Sequence, residues 1–289
     1  MKFNTSLGTF SIAPLFGARS VSYRGGVLFT ESGLLYDKQF ALMTPNGTIL
    51  DKNTCPPLSE LLVEIDWGEN RVHGVGDDRL VFSSELAGEG CAFKLNRRDD
   101  SACTFSATYG SVAFSGVDLG DEPAEWFSNV VGTTCRVVKL ARRKPAMFHD
   151  GVHGDFATNF GGVTPIQLVA INTITHLHTI VREAGLGCLA GSDFGTNICL
   201  TDLKAFQEKT FLGKELLIGG RVKLKVIDQT HVTQSFGYDM DLTHRCQRDG
   251  REVLKVLEQF HVRGRLLVGV SCVVKQPGFV NQGDDITVL

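Results

Sequence analysis

Apolar and polar residues alternate over short stretches along most of the chain, and glycine-containing turns separate these stretches. Phe40 and Leu42 alternate with Ala41 and Met43, and the turn Asn46-Gly47 follows directly. A period of two is typical of strands with one buried face, and Asn-Gly is a preferred two-residue hairpin turn. Weaker alternation continues over residues 66–118. The pattern predicts a chain dominated by β-strands.

Helical signals are fewer and stand between strands. A short helix is predicted to open at residues 120–123 and to end at Gly132, because an acidic first turn and a terminal glycine are typical helix boundaries. A strand over 164–171 leads into a second helix that begins at Asn172 or Thr173 and closes at Gly185. Its apolar residues fall on one face, so we expect it to pack on a core.

The end of the chain predicts a helix over 250–260, then a strand from Arg265, a turn at Pro277-Gly278 and a closing strand at 286–288. Residues 139–162, in contrast, are rich in charge and glycine and are predicted to form a long loop. The basic residues at its start are predicted to form a solvated surface; they are Lys139, Arg142, Arg143 and Lys144.

The composition and net charge of the chain argue against several classes of function. The 289 residues are 43% hydrophobic and 21% charged, as in soluble globular proteins, and the net charge of −3 gives no basic surface for nucleic acid. No apolar run approaches the roughly 20 residues needed to span a bilayer, so no membrane partner is predicted. The first residues do not resemble a signal peptide, and a cytoplasmic location is expected. The eight cysteines form no C-x-x-C pair and are expected to be reduced and buried.

Three segments carry a resemblance to a known family. Residues 33–40 (GLLYDKQF), followed by Pro57-Leu58, resemble the pattern G-L-x-x-D-R-x-W of the MOSC N-terminal domain. Residues 211–226 resemble the pattern W-x-x-L-x-I-G-D-V-x-L-x-V of the MOSC domain. Residues 280–286 resemble V-x-x-G-D-x-V, which closes that domain, the C-terminal module of molybdenum cofactor sulfurases. The resemblance implies a mainly β fold with peripheral helices (α+β). It divides the chain into a MOSC N-terminal β-barrel domain (1–120) and a MOSC β-barrel domain with a linker helix (121–289).

The resemblance also implies a cofactor. Two-domain MOSC proteins bind molybdenum cofactor between their domains, through a cysteine in C-x-R-C after the I-G-D-V strand. Here that place reads DQTHVT, residues 228–233. The family's cysteines fall on Thr230 and Thr233, or on Gln229 and Val232 in the alternative register. Because a neutral hydroxyl cannot replace a thiolate as a ligand for molybdenum, no metal site is predicted there.

Other positions remain candidates for binding or chemistry. Lys38, Lys52 and Asn197 match positions that hold the cofactor in the family, although lysine lacks the bidentate fork of arginine. His231 stands in the middle of the replaced motif, where a histidine could act as general acid, general base or hydrogen-bond partner. Thr230 and Thr233 flank it. Cys199 and Cys246 are remote alternatives as thiolate ligands.

Three hypotheses for function follow. The first is an enzyme that acts on a small molecule between the two domains through His231 and the threonines, without molybdenum. The second is a molybdenum-cofactor oxidoreductase or sulfur-handling protein with an unrecognised ligand, which would need a separate redox partner because the sequence has no ferredoxin-like cysteine set. The third is a non-catalytic module that binds a small molecule or a partner protein.

Overall fold

The computed structural model describes residues 5–23, 25–66, 79–84, 90–94, 105–141, 145–162, 164–231 and 250–289. The strands in chain order are β1 Leu7–Ile12, β2 Val21–Tyr23, β3 Gly26–Thr30, β4 Gly33–Leu34, β5 Phe40–Met43, β6 Ile49–Leu50, β7 Leu62–Asp66, β8 Arg79–Ser83, β9 Cys91–Lys94, β10 Phe105–Tyr109, β11 Val112–Asp118, β12 Arg136–Leu140, β13 Ala146–Asp150, β14 Gly154–Thr158, β15 Ile166–Ala170, β16 Ile198–Leu200, β17 Glu215–Ile218, β18 Val222–His231, β19 His261–Val262, β20 Arg265–Gln276, β21 Gly278–Asn281 and β22 Ile286–Val288. The α-helices are α1 Asp121–Val131, α2 Ile171–Glu183 and α3 Gly250–Val256, and short 3₁₀ helices span Pro56–Glu60, Gly191–Phe194, Gln207–Phe211 and Glu258–Phe260. The prediction of a mainly β fold with peripheral helices is confirmed.

The chain divides into two compact units, and neither is a continuous segment. The first contains Met1–Ser11, Ser22–Phe29 and Ile166–Leu289, and the second contains Ile12–Val21 and Thr30–Pro165. The division into family domains at residue 120 stays a prediction.

A curled sheet forms the first unit. Its strands follow the order β2-β1-β16-β15-β20-β18-β17-β22, and β19 pairs with β20. The residues next to β1 and β22 also meet, because Ser6 bridges to Asp285 and the main-chain nitrogen of Leu7 donates to the carbonyl of Asp284 at 3.0 Å. The main-chain nitrogen of Gly283 donates to Leu7 at 2.8 Å. These bonds close the sheet into a barrel, so the C-terminal residues pair with the N-terminal strand.

Two helices pack on the outside of this sheet. Ile174, Leu177 and Val181 of α2 lie in one apolar cluster with Val253 and Leu257, from α3 and the residue after it. The one-sided apolar pattern that predicted α2 is therefore confirmed, and burial of this face fixes the helix on the sheet. None of the helices in the described residues is long and apolar enough to span a membrane.

The second unit contains a five-stranded sheet, ordered β10-β11-β12-β5-β6, and a three-stranded sheet, β7-β8-β9. Phe114 and Phe160 pack against each other in its core, with ring centroids 4.9 Å apart. Helix α1 ends at Gly132, whose φ of 68° is the left-handed conformation of a helix-terminating glycine. The predicted boundaries of this helix are confirmed.

Two expectations for residues 139–162 are wrong. The segment is no long loop, since β13 and β14 form an antiparallel hairpin in which His149 faces Asp155, with Nδ1 and Oδ2 3.0 Å apart. Lys139 is not on a solvated surface, because β12 lies between β11 and β5 and leaves this residue 3% exposed. The prediction of a solvated surface relied on the charge of Lys139 alone, and a central strand can bury the apolar stem of a lysine. Arg142, Arg143 and Lys144 lie outside the described residues.

Candidate functional site

Residues 228–231, which the resemblance aligns with the family's cysteine motif, form the end of β18. Strand β18 pairs with β20 over most of its length, and its residues alternate between buried and exposed positions. Thr230 is 3% exposed, and its Oγ1 lies 3.0 Å from Oγ of Ser271 on β20. Each hydroxyl therefore satisfies the other away from water. This position carries a neutral hydroxyl pair.

His231, the next residue, lies in a different environment. Its side chain is 42% exposed, and Asp228 Oδ2 lies 4.0 Å from its Nε2. Its Nδ1 is 3.4 Å from Nη1 of Arg265, the first residue of β20. The end of β18 thus presents an imidazole between a carboxylate and a guanidinium on the surface. The third predicted residue of this group, Thr233, lies outside the described residues.

Asn197 uses its side chain within the barrel. It is 2% exposed, its Oδ1 accepts a hydrogen bond from the main-chain nitrogen of Gln167 at 2.9 Å, and its Nδ2 donates to the carbonyl of Ser11 at 3.5 Å. These bonds join β15 to β1 across the start of β16. A role for Asn197 in binding a cofactor stays a prediction.

Lys38 has an unusual backbone conformation. Its φ is 48° and that of Tyr36 is 68°, both in the left-handed region that non-glycine residues rarely adopt. Between them lies Asp37, which is 1% exposed and whose carboxylate accepts from the main-chain nitrogen of Ala13 at 2.8 Å and lies 3.4 Å from the Lys38 ammonium. A Cβ at Gly161 would lie 2.3 Å from Cδ of Lys38, so glycine leaves room for the lysine stem.

Lys52 lies in a turn that the preceding residue fixes. The Asp51 carboxylate accepts hydrogen bonds from the main-chain nitrogens of Asn53 and Thr54, and Tyr109 donates its hydroxyl to it at 2.8 Å. Partial burial alone would raise the pKa of Asp51, but these bonds outweigh it and lower that pKa below its usual value. Burial and the bond to Asp51 raise the pKa of Tyr109 to about 12. The charged Asp51 and neutral Tyr109 hold the Lys52 turn in place.

Cys199 and Cys272 are poor sources of a thiolate, because burial raises the pKa of both thiols. Cys199 is half-buried, and burial raises the pKa of its thiol although a hydrogen bond with Thr9 opposes this. Burial also raises the pKa of Cys272, which is fully buried on β20. Within the ranges that the structure describes, no three histidine, cysteine or acidic side chains come together as a metal site. Cys246 lies outside those ranges.

The sequence alone could not identify two of the residues that contact this segment. Ser271 lies 41 positions from Thr230, and Arg265 lies 34 positions from His231. Only the pairing of β18 with β20 brings these two residues to the segment, and a single sequence motif does not reveal which strands pair.

Part of the chain matches a known domain family. Residues 159–287 match the family model of the MOSC domain, so this part of the chain is a MOSC domain. It is also similar to mitochondrial amidoxime reducing component 2 from Bos taurus, with 25% identity over 234 residues. The match covers 76% of this chain and 63% of that protein, so the chain spans less than two thirds of its relative's length.

Solved structures show weaker likeness. The solution structure of a protein from Bordetella bronchiseptica is 24% identical, with a TM-score of 0.30, and the match covers 39% of this chain and 84% of that one. YiiM from Geobacillus stearothermophilus is 13% identical, with a TM-score of 0.31, and the match covers 44% of this chain and 54% of that one. TM-scores this low carry no argument about function.

Proposed function

We propose that this MOSC-domain protein acts on a small molecule without cysteine-held molybdenum, and that His231 is the group that meets this molecule. The observation that carries the proposal is the hydroxyl pair of Thr230 and Ser271, 3.0 Å apart and buried, at the place of the family's ligand. A hydroxyl in a neutral pair donates far less charge to a metal than a thiolate does. The described residues therefore do not fit molybdenum held in the family's manner.

His231 and Asp228 are the ionisable side chains among the described residues of this segment, and His231 is the one that can both donate and accept hydrogen bonds through its ring. Its exposed ring can be reached by a solute, and its two nitrogens contact groups of opposite charge. A histidine side chain can serve as a general acid, a general base or a hydrogen-bond partner. In this proposal Thr230 keeps the end of β18 in place through Ser271, and the ring of His231 contacts the substrate.

The proposal is tested by a thermal-shift screen of small acids, amines and N-hydroxylated compounds against the full chain and its His231→Gln variant. We expect at least one compound to raise the melting temperature of the wild type and to lose most of that effect in the variant, because glutamine cannot exchange a proton. Equal shifts in both proteins for every bound compound would contradict the role of His231. The variant Thr179→Ala, on the exposed face of α2, serves as control.

A second function, reduction of N-hydroxylated compounds with molybdenum cofactor, is favoured by one observation. The chain is 25% identical to a protein named mitochondrial amidoxime reducing component 2. In this case Lys38, Lys52 and Asn197 would hold the cofactor, a redox partner would deliver electrons, and the metal ligand would have to be Cys246 or Cys199. The raised pKa of Cys199 weighs against the latter, because the ligand must be a thiolate.

A further inference from the structure

The surface next to His231 is built by two paired strands and a tight turn. His231 ends β18 and pairs with Leu267 of β20, while Arg265 begins β20 and pairs with Val262 of β19. Between β19 and β20, Arg263 and Gly264 have φ values of 50° and 74°, as in the two-residue turns of tight hairpins. Arg265 is therefore placed beside His231 by its own pairing with Val262 and by the pairing of Leu267, two residues further on, with His231.

The hydrogen bond between these two side chains decides which ring nitrogen carries the proton. A guanidinium has only N–H donors and keeps its charge, so in its contact with Arg265 Nη1 the Nδ1 of His231 must be the acceptor. While this contact is made, Nδ1 carries no proton and the proton of the ring lies on Nε2. This leaves Nε2–H as a hydrogen-bond donor at the exposed edge of the ring.

The Arg265 guanidinium has further N–H groups that can donate hydrogen bonds. The bond to His231 uses one of its five N–H groups, and within the described part of the chain Arg265 makes no other hydrogen bond or ion pair. Arg265 is exposed. An Arg fork and a neighbouring N–H donor together match the planar or tetrahedral oxygens of a carboxylate or phosphate.

Asp228 opposes an anion at this place. Its Oδ2 lies 4.0 Å from Nε2 of His231, and its Oδ1 accepts from the main-chain nitrogen of Gln229 at 2.7 Å. The Asp228 carboxylate would repel a bound anion. It also attracts the Nε2 proton, and so it holds the His231 ring in the orientation that the contact with Arg265 favours. Asp228 is thus a positioning group that lowers affinity.

We propose that Arg265 and His231 together bind the oxyanion group of the small molecule, a carboxylate or a phosphate, with Asp228 orienting the ring. The inference rests on the proposed function, because it takes His231 as the group that meets the substrate. It adds two residues to the site and restricts the substrate class to molecules that carry an oxyanion.

The test is a titration of the ¹⁵N-labelled full chain with inorganic phosphate and, separately, with acetate, at constant ionic strength held with chloride. The imidazole signals of His231 are assigned by their loss in His231→Gln. We expect a spectrum of the Nε2–H tautomer before addition, and a saturable shift of Nε2 on addition of at least one of the two anions. A shift with phosphate alone identifies a phosphoryl group, and a shift with acetate alone or with both identifies a carboxylate or any oxyanion.

Matched variants separate this site from general surface charge. Arg265→Gln should weaken anion binding at least tenfold, roughly the value of one charge-assisted hydrogen bond. Arg263→Gln removes the same charge two residues away and should change the affinity less than about twofold, because exposed charges interact weakly through water. Asp228→Asn should tighten binding.

Equal losses in the two arginine variants, or no saturable shift of His231 with either anion, would overturn the inference. Circular dichroism of each variant confirms that the fold is kept. Loading of the protein with molybdenum would contradict the proposed function but would leave the anion titration intact, so the two failures are distinguishable.

Discussion

Glu208 shows how much a single side chain can depend on its surroundings. It is fully buried in the first unit, and the hydroxyl of Thr173 on α2 lies 3.0 Å from both of its carboxylate oxygens. Burial raises the pKa of Glu208 above 4.5, although hydrogen bonds from Thr173 and the main chain and the charge of Lys209 oppose the shift. The carboxyl group therefore takes up a proton more readily in the folded protein than in the unfolded chain.

The stability of the protein should depend on pH through this group. Because the folded pKa is raised, the stabilising contribution is fully present below the unfolded value near 4.5 and is lost as pH rises through the folded pKa. The difference in the free energy of unfolding between wild type and Glu208→Gln should therefore fall as pH rises above 4.5, measured by urea denaturation over a series of pH values. Glu183→Gln, on the exposed end of α2, serves as control. A difference that stays constant with pH would contradict a raised pKa at this position.

At this scale the sequence could single out candidate residues but could not predict what they contact. The segment 228–233 stood out because the resemblance aligns it with the family's cysteine motif although it contains no cysteine, and the structure places Thr230 and His231 in opposite environments. Arg265 could not be predicted as a neighbour of His231, because only the register of β18 on β20 brings them together. Asn197 matched a family position, and its buried bonds to the main chain were not predictable from a motif.

At the scale of elements, the close approach of β20 to β15 depends on one glycine. Gly269 has a φ of 76°, and a Cβ there would lie 2.4 Å from Cγ2 of Val169 and 2.5 Å from the carbonyl oxygen of Leu168. The latter is a main-chain atom and cannot move aside without disturbing the sheet. The glycine therefore lets β20 reach its neighbour in the barrel.

Gly269→Ala should lower the free energy of unfolding by about 3 kcal/mol or more, because left-handed strain and overpacking add. The matched control is Gly213→Ala, because Gly213 has a φ of 77° and a Cβ at this position would meet no atom within 4 Å. This control should cost about 1 kcal/mol from strain alone. Chemical denaturation of both variants measures the difference. Equal losses would show that the approach to Leu168 is not what requires glycine.

The strands and helices were largely predictable because their patterns are local. The alternation in β5, the apolar face of α2 and the glycine after α1 each correspond to an observed element. The hairpin of β13 and β14 was missed because charged and glycine residues around its turn resemble a loop. Its signal is the pair Phe148 and Phe156, which face each other across the two strands with ring centroids 5.5 Å apart.

At the scale of the whole molecule, the order of the chain differs from the order of contacts. Thr5 donates its hydroxyl to the carbonyl of Thr201, 196 positions along the chain, and the last strand returns to the first. Local patterns predict strands, but they do not predict which of them become neighbours, because pairing depends on contacts distant in sequence. Which segments of the chain make up each of the two units could therefore not be predicted from the sequence.

The cysteines allow a test that covers both units. Cys188 is exposed, while Cys55, Cys91, Cys135 and Cys272 are buried, and burial raises the pKa of Cys91 to about 11. Because a reagent must reach the thiol and the thiolate is the reactive form, iodoacetamide should label Cys188 in the native protein and the four buried thiols only after unfolding. Peptide mass spectrometry follows each site separately. Fast labelling of Cys272 in the native state would contradict the closed packing of β20.

The central claim is that this MOSC-domain protein works without molybdenum held by cysteine. The most direct measurement is metal and pterin analysis of the full chain, purified from cells supplied with molybdate, beside a cysteine-bearing relative from the same host and the variant Cys199→Ser. We expect neither molybdenum nor pterin in this protein, with both present in the relative. Near-equimolar molybdenum and pterin in this protein would contradict the claim, and their loss in Cys199→Ser would identify the ligand.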